Sequence, residues 1–210
     1  MNNKKAQLQE GLDTIGISYT DTQIEQLLCF AGLLQRWNKV YNLTAINESE
    51  ILTHHLLDSA TLVPYVERLS PRASKILDVG SGGGLPSIPL AILRPDLLVT
   101  AVDAVKKKTA FLTQVGIELG LRNFRAEHCR VERMTGTYDV ITSRAFASLS
   151  LFTELTKNLV SENGLWLAMK GQNPETEIQS LSVAMVKEQI PLYVPGLDER
   201  RHLIVMSPVT

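Results

Sequence analysis

Hydrophobic positions in the first third of the chain recur at helical spacing, whereas from Lys75 onward short apolar runs alternate with helical segments. Gln7 to Ile15 carries a weak helical pattern. A stronger one follows, in which Thr20 and Gln23 have capping-box spacing ahead of Ile24, Leu27, Leu28, Ala31 and Leu34. It ends in Trp37 to Thr44, a cluster of aromatic and amide side chains. These read first as a helix end packed on its neighbour and second as a contact surface for a base or sugar. Asn47 and Glu50 repeat the capping-box spacing, which predicts a helix through Ile51, Leu52, His55 and Leu56 as far as Leu62. Pro64 stops it, and Pro64 to Arg72 links a helical extension, residues 1–70, to an α/β part, residues 71–210.

The second part opens with a β-rich run, Lys75 to Val79, then a glycine turn, then a helix through Leu93 whose Pro86 and Pro89 fall in a first turn that has no N–H bonds to lose. Arg94-Pro95-Asp96 ends that helix. Leu97 to Val102 reads as a parallel strand buried on both faces and ending at Asp103. A helix from Lys106 turns the Lys108 stem, Phe111, Leu112, Val115 and Leu119 inward and stops at Gly120. Strands follow at Phe124 to His128, Tyr138 to Arg144 and Gly164 to Gly171, with a helix from Leu149 and another over Glu175 to Ala184. Ile190 to Val194 and Leu203 to Ser207 are joined too closely for a parallel crossover and should be antiparallel. The order predicts a Rossmann-like α/β fold.

At 210 residues the chain suits one domain of about 100–200 residues with an extension. Its 21 Lys and Arg against 22 Asp and Glu give a net charge of -1, so any surface for a nucleic acid must be local. The two cysteines, Cys29 and Cys129, are too scattered for a disulfide framework. His54 and His55 are adjacent and point apart on a helix, so a hydrogen bond from His55 to Asp58 is expected there and a metal is not. No run approaches the ~20 apolar residues of a membrane span, which predicts a soluble cytoplasmic protein.

The glycine turn carries the chemistry. Bare backbone N–H groups beside a helix N-terminus at the carboxyl end of a parallel strand suit a nucleotide-like ligand. A dinucleotide fingerprint fails, because Leu85 or Ser87 stands where the third glycine should be. Asp78 lies two residues before the first glycine, and Asp78-Val79-Gly80-Ser81-Gly82 resembles the first motif of S-adenosylmethionine-dependent methyltransferases, whose cofactor carries a sulfonium and an ammonium that a carboxylate would attract where it would repel a diphosphate. Asp103 can accept bonds from ribose hydroxyls, as it could for either cofactor. The loop Cys129 to Glu132 can edge an adenine. Lys106 to Lys108 is either a solvated face or a phosphate contact. Arg144, leaving a buried strand at the ligand end, needs a partner. A structural ion pair would serve, but its position favours recognition of the cofactor's carboxylate or an RNA phosphate.

Taken together, Trp37-Asn38, Tyr41 to Thr44, His55 with Leu57-Asp58-Ser59, Asp78 to Pro86, Ser143 to Leu149, Lys170-Gly171 and Arg201-His202 closely resemble the bacterial 16S rRNA guanine-N7 methyltransferases, the RsmG (GidB) family. The resemblance spans nearly the whole chain. It implies a class I S-adenosylmethionine-dependent methyltransferase fold with six parallel strands and one antiparallel, behind an N-terminal helical extension. It further implies methyl-donor contacts at Gly80, Leu85, Val131, Glu132 and Arg144, which join Asp78, Gly82 and Asp103. Arg144, Lys170 and Arg201 are then expected on the RNA side. The implied partner is 16S rRNA or a small ribosomal subunit precursor, met by a monomer without metal or membrane. Ser87 departs from the glycine usual in the family, and Arg200 from a glutamate.

Guanine N7 has an in-plane lone pair and no proton to lose, so no general base is expected and none is named. The rivals are a methyltransferase for a small molecule or protein, a non-enzymatic RNA-binding regulator, and an NAD oxidoreductase.

Overall fold

The computed structural model describes residues 2–45, 47–171 and 174–209. Two helices open the chain, α1 (Asn2–Ile15) and α2 (Asp21–Tyr41). The first capping box forms as predicted: the Gln23 N–H donates to Thr20 Oγ1 at 3.3 Å and the Thr20 N–H to Gln23 Oε1 at 2.8 Å. The predicted stripe is core, with Ile24, Leu27, Ala31 and Leu34 buried and Leu28 half-buried against them. At the helix end the Trp37 ring packs 5.2 Å from Tyr41 and 5.4 Å from Phe111, and Asn38 Oδ1 accepts the Thr44 N–H at 2.8 Å. The packing reading of this cluster therefore holds for its rings and for Asn38.

The second capping box does not form. Asn47 makes no side-chain cap, Glu48–Glu50 is a 3-10 turn, and Leu52–Leu57 widens into a π-helix before α3 (Asp58–Ala60) and α4 (Leu62–Leu69). Pro64 does not stop the helix either. It is the third residue of α4, inside the first turn, where its missing N–H costs nothing. Most of the expected linker is therefore helical.

The sheet runs β1 (Lys75–Val79), β2 (Leu98–Asp103), β3 (Phe124–His128), β4 (Tyr138–Arg144), β5 (Val160–Lys170), β6 (Ala184–Leu192) and β7 (Arg201–Pro208) in chain order, and β3-β2-β1-β4-β5-β7-β6 in space. β7 lies antiparallel to both β5 and β6, so six strands run one way and one against them, as the resemblance implies. Crossovers are α5 (Ser87–Leu93), α6 (Lys106–Glu118), α7 (Leu149–Thr156) and the short α8 (Glu175–Ile178). The helix expected over Glu175 to Ala184 ends at Ile178, and Ala184 already belongs to β6. That strand alternates buried or half-buried with exposed positions, and at the sheet's edge it accommodates Lys187, Glu188 and Pro191.

Strand alternation sorts the core into two layers. Ile76, Val140, Leu167, Met169, Leu203 and Val205 face α2, α5, α6 and the helices of the extension, all in one apolar cluster. Leu77, Val79, Ile141, Trp166, Ala168 and Ile204 face α7. By the same parity Asp78, Arg144 and Arg201 point to the face that the extension covers.

Candidate functional site

Two confluent hollows open at the carboxyl ends of the strands, where ligands bind in open α/β sheets. The larger, about 470 Å³, is lined by the glycine turn with Leu85, by Arg144, Lys170 and Arg201, and by Leu43, Thr44, His54 and Asp58 of the extension. The smaller, about 340 Å³, is lined by Asp103, Cys129, Val131, Glu132 and Phe146. Gly80, Lys108 and Ala145 border both. A separate hollow of about 360 Å³, with Lys75, Arg122 and Arg125, lies at the opposite ends of the strands and holds none of the expected donor residues.

Most of the turn's amides are not bare. The Gly80 and Ser81 N–H groups donate to the Val102 carbonyl at 2.9 and 3.2 Å, and those of Gly84 and Leu85 to the Ser81 carbonyl at 2.7 and 3.2 Å. Gly82 N–H donates to Asp103 Oδ2 at 3.0 Å. At Gly80, with φ +69°, a Cβ would collide with the Phe146 ring, so the bare glycine lets that ring close on the turn at the edge of the smaller hollow.

Asp78 lines neither hollow. Its side chain is fully buried beneath the turn, and neither carboxylate oxygen has a donor in hydrogen-bonding geometry. Burial pushes its pKa up to about 6, although the Ser81 and Ser87 hydroxyls and Arg144 act against the shift. The buried Ser87 hydroxyl also lacks a geometric partner. The departure at Ser87 therefore places a small polar group in Asp78's enclosed surroundings. Direct attraction of a cofactor cation by an exposed Asp78 is not what the fold arranges.

The cations on the larger hollow are all paired. Arg144 Nη1 donates to Asp58 Oδ2 and to the His54 carbonyl, both at 2.8 Å, and Nη2 lies 3.2 Å from His55 Nδ1. The structural ion pair, the less favoured sequence reading, is thus present, and Arg144 lines the hollow as well. Lys170 Nζ donates to the Ala147 carbonyl at 2.8 Å and to Glu177 at 2.9 Å. Arg201 Nη2 pairs with Glu199 at 2.8 Å. The expected His55 to Asp58 hydrogen bond is absent. His55 Nε2 meets Thr44 Oγ1 at 2.6 Å and Nδ1 lies 2.9 Å from the His54 carbonyl, so both ring nitrogens are engaged away from Asp58, whose Oδ2 accepts Arg144. Burial, with Arg144 beside it, lowers the His55 pKa to about 4.

Sequence reasoning did not single out Asp58 as an arginine partner, nor Phe146 and Ala145. Ala145 adopts φ +53°, a left-handed conformation costly for a residue with a Cβ. Its place directly after Arg144, at a strand's carboxyl end, was the available signal. Among the described residues no group of three or more potential ligands could hold a metal, and no helix is long and apolar enough to cross a membrane.

A seven-stranded sheet of this order, with a glycine turn after β1 and an acid closing β2 at one cleft, defines a class I methyltransferase. In fold it is similar to the magnesium protoporphyrin IX methyltransferase of Synechocystis PCC 6803 solved with bound SAM, at a TM-score of 0.60 and 18% identity, covering 90% of this chain and 99% of that one. It is similar also to TrmN from Thermus thermophilus, at a TM-score of 0.56 and 16% identity over 75% of this chain and 53% of that one. Residues 23–204 match the family described as rRNA small subunit methyltransferase G. The chain is 48% identical over 212 residues to the Ribosomal RNA small subunit methyltransferase G of Ralstonia nicotianae, covering 97% of this chain and 95% of that one. To that of Neisseria gonorrhoeae it is 47% identical over 207 residues, with 97% and 98% covered. The chain belongs to the rRNA small subunit methyltransferase G family, and its methyl donor is S-adenosylmethionine. That placement decides against the oxidoreductase reading.

Proposed function

We propose that the protein methylates N7 of a guanine in 16S rRNA, free or within a small ribosomal subunit precursor. The observation that carries this reading is the meeting of two unlike hollows at Gly80 and Ala145, one edged by an acid and a carboxylate loop, the other by four arginine or lysine side chains. The smaller hollow fits the adenosine of the donor. Asp103 would meet the ribose, Val131 and Glu132 the adenine, and Gly80, Gly82 and Leu85 would allow the chain's closest approach. Asp78 acts from beneath, by shaping the turn. Arg144 stands between donor and RNA, and Lys170 and Arg201 face the RNA.

When bound, S-adenosylmethionine supplies an electrophilic methyl group. The chain's own task is positional. Guanine N7 needs no proton removed, so the residues must fix the base in line with the methyl and keep water out, and such alignment supplies up to roughly 7–11 kcal/mol in model reactions. His55, held neutral by burial, suits a site without a titrating base. Residues 1–70 are read here as the helical extension to the methyltransferase part, and the protein as a monomer working where ribosomes are assembled, in the cytoplasm. Mapping 7-methylguanine in 16S rRNA from cells with and without the gene tests the proposal. A modification pattern identical in both would overturn it.

A further inference from the structure

Asp58 belongs to the extension, yet its carboxylate ends inside the methyltransferase cleft. The side chain is 3% exposed. Its Oδ2 accepts Arg144 Nη1 at 2.8 Å, while its Oδ1 stands 3.6 Å from Arg201 Nε and has no hydrogen-bond partner among the described residues. The two arginines come from different strands. Arg144 ends β4 and Arg201 opens β7, with β5 between them in the sheet. Alternation turns both to the face that the extension covers, so one carboxylate from a helix packed there meets both.

Two guanidinium groups facing one carboxylate repel each other, and the carboxylate is what makes their proximity tolerable. Arg144 has other anchors in the His54 carbonyl and His55. Arg201 does not have equivalent ones: its closest acid, Glu199, has a side chain 60% exposed, and its remaining bond is to the neighbouring Arg200 carbonyl. Without Asp58 the Arg201 fork would follow Glu199 to the rim. A buried pair kept only for stability is a weak device, since apolar packing often does as well. At 3.6 Å the Nε of Arg201 is attracted to Oδ1 without a short hydrogen bond to it, which leaves that donor for a substrate.

We propose that Asp58 is a positioning residue for methyl transfer, gathering Arg144 and Arg201 into one substrate edge that the strands alone do not assemble. The N-terminal extension thereby completes the RNA side of the cleft in addition to covering the sheet. This inference rests on reading that side of the cleft as the place of the RNA.

Single-turnover methylation at saturating donor and RNA, expressed per folded molecule, is compared for wild type, Asp58→Asn, Arg201→Gln and the double variant. Each single change should slow the step by roughly 10-fold or more, and the double variant should fall short of the product of the two penalties by at least about threefold, because part of Asp58's effect passes through Arg201 and the rest through Arg144. Penalties that multiply would overturn the inference while leaving the cleft reading intact. A wild-type rate for Arg201→Gln would instead overturn the cleft reading, and the inference with it. Should Asp58→Asn fail to fold, Asp58→Glu retains the charge and displaces it by one methylene. A loss of about 10-fold in rate with little change in melting supports the positioning role, and an unchanged rate refutes it.

Discussion

Asp103 reaches back across the cleft to hold the glycine turn: its Oδ2 accepts the Gly82 N–H at 3.0 Å while its Oδ1 accepts the Val105 N–H at 2.8 Å. The acid expected on the ribose is therefore also the acid that fixes the turn beneath the ligand. Asp103→Ala removes both functions. Donor affinity should fall roughly 10- to 100-fold, the worth of one or two hydrogen bonds to a charged acceptor. Calorimetric titration with S-adenosylmethionine measures it, and unchanged affinity would place the ribose elsewhere.

Gly80 tolerates no side chain. A Cβ there would meet the Phe146 ring, and at φ +69° the backbone alone penalises an L-residue by about 1–2 kcal/mol. Gly80→Ala should therefore lower the melting temperature and weaken donor binding by at least about 10-fold, since relief requires Phe146 to move within the smaller hollow. Normal affinity in a folded variant would show that the donor does not pass over Gly80.

Arg144→Lys keeps a positive charge beside Asp58 but cannot span Asp58, the His54 carbonyl and His55 at once. Its stability loss should stay below the about 3–5 kcal/mol of removing one buried partner outright. Turnover should fall further, by roughly 100-fold, if the fork positions reactants. Denaturant midpoint and single-turnover rate on the same preparation separate the two roles. A large stability loss with normal turnover per folded molecule would make Arg144 purely structural.

Two buried groups oppose each other in acid. His55, with its pKa lowered to about 4, stabilises the fold above its ordinary 6.5, and that contribution is lost as pH falls from about 6.5 to 4. Asp78, raised from 3.8 to about 6, does the reverse: its contribution is full below 3.8 and is lost as pH rises through 6. Asp78→Asn should therefore gain on wild type by up to about 3 kcal/mol between pH 4 and 6, and no further above that. Urea midpoints across this range without donor check it. A difference independent of pH would mean that Asp78 is ionised in the fold throughout.

Because the reaction at N7 needs no proton removed, the chemical step at saturating RNA and donor should stay within about threefold from pH 6.5 to 8.5. Single-turnover rates, corrected for RNA binding and folding, are the measurement. A steep rise through the histidine range would reveal a base that the site reading has missed.

Much of this was legible in the residues because it depends on short spacings. The Thr20 and Gln23 cap and the strand from Lys75 to Val79 are local, and β7 had to oppose β6 because the join is short. Where local signals misled, a neighbour decided. The Asn47 capping box gave way to a 3-10 turn and a π-helix, and Pro64 entered a helix because the first turn demands nothing of its nitrogen. Ala184 left a plausible helix for an edge strand beside β7. Most of the turn's amides, bare in the sequence reading, are taken by Val102, Ser81 and Asp103, residues up to 22 positions away.

By itself the sequence determined the order of strands and helices, the glycine turn, the acid closing β2 and the family, because each is written in residues close along the chain. It also set the parity that turns Arg144 and Arg201 to one face. Only the tertiary structure decided what covers that face. A carboxylate from a helix 86 residues before Arg144 reaches it, His55 turns to Thr44 in place of the expected bond to Asp58, and Asp78 disappears beneath the turn. Those outcomes depend on which surfaces pack together, and burial and charge pairing across the packed layers have no counterpart in local spacing.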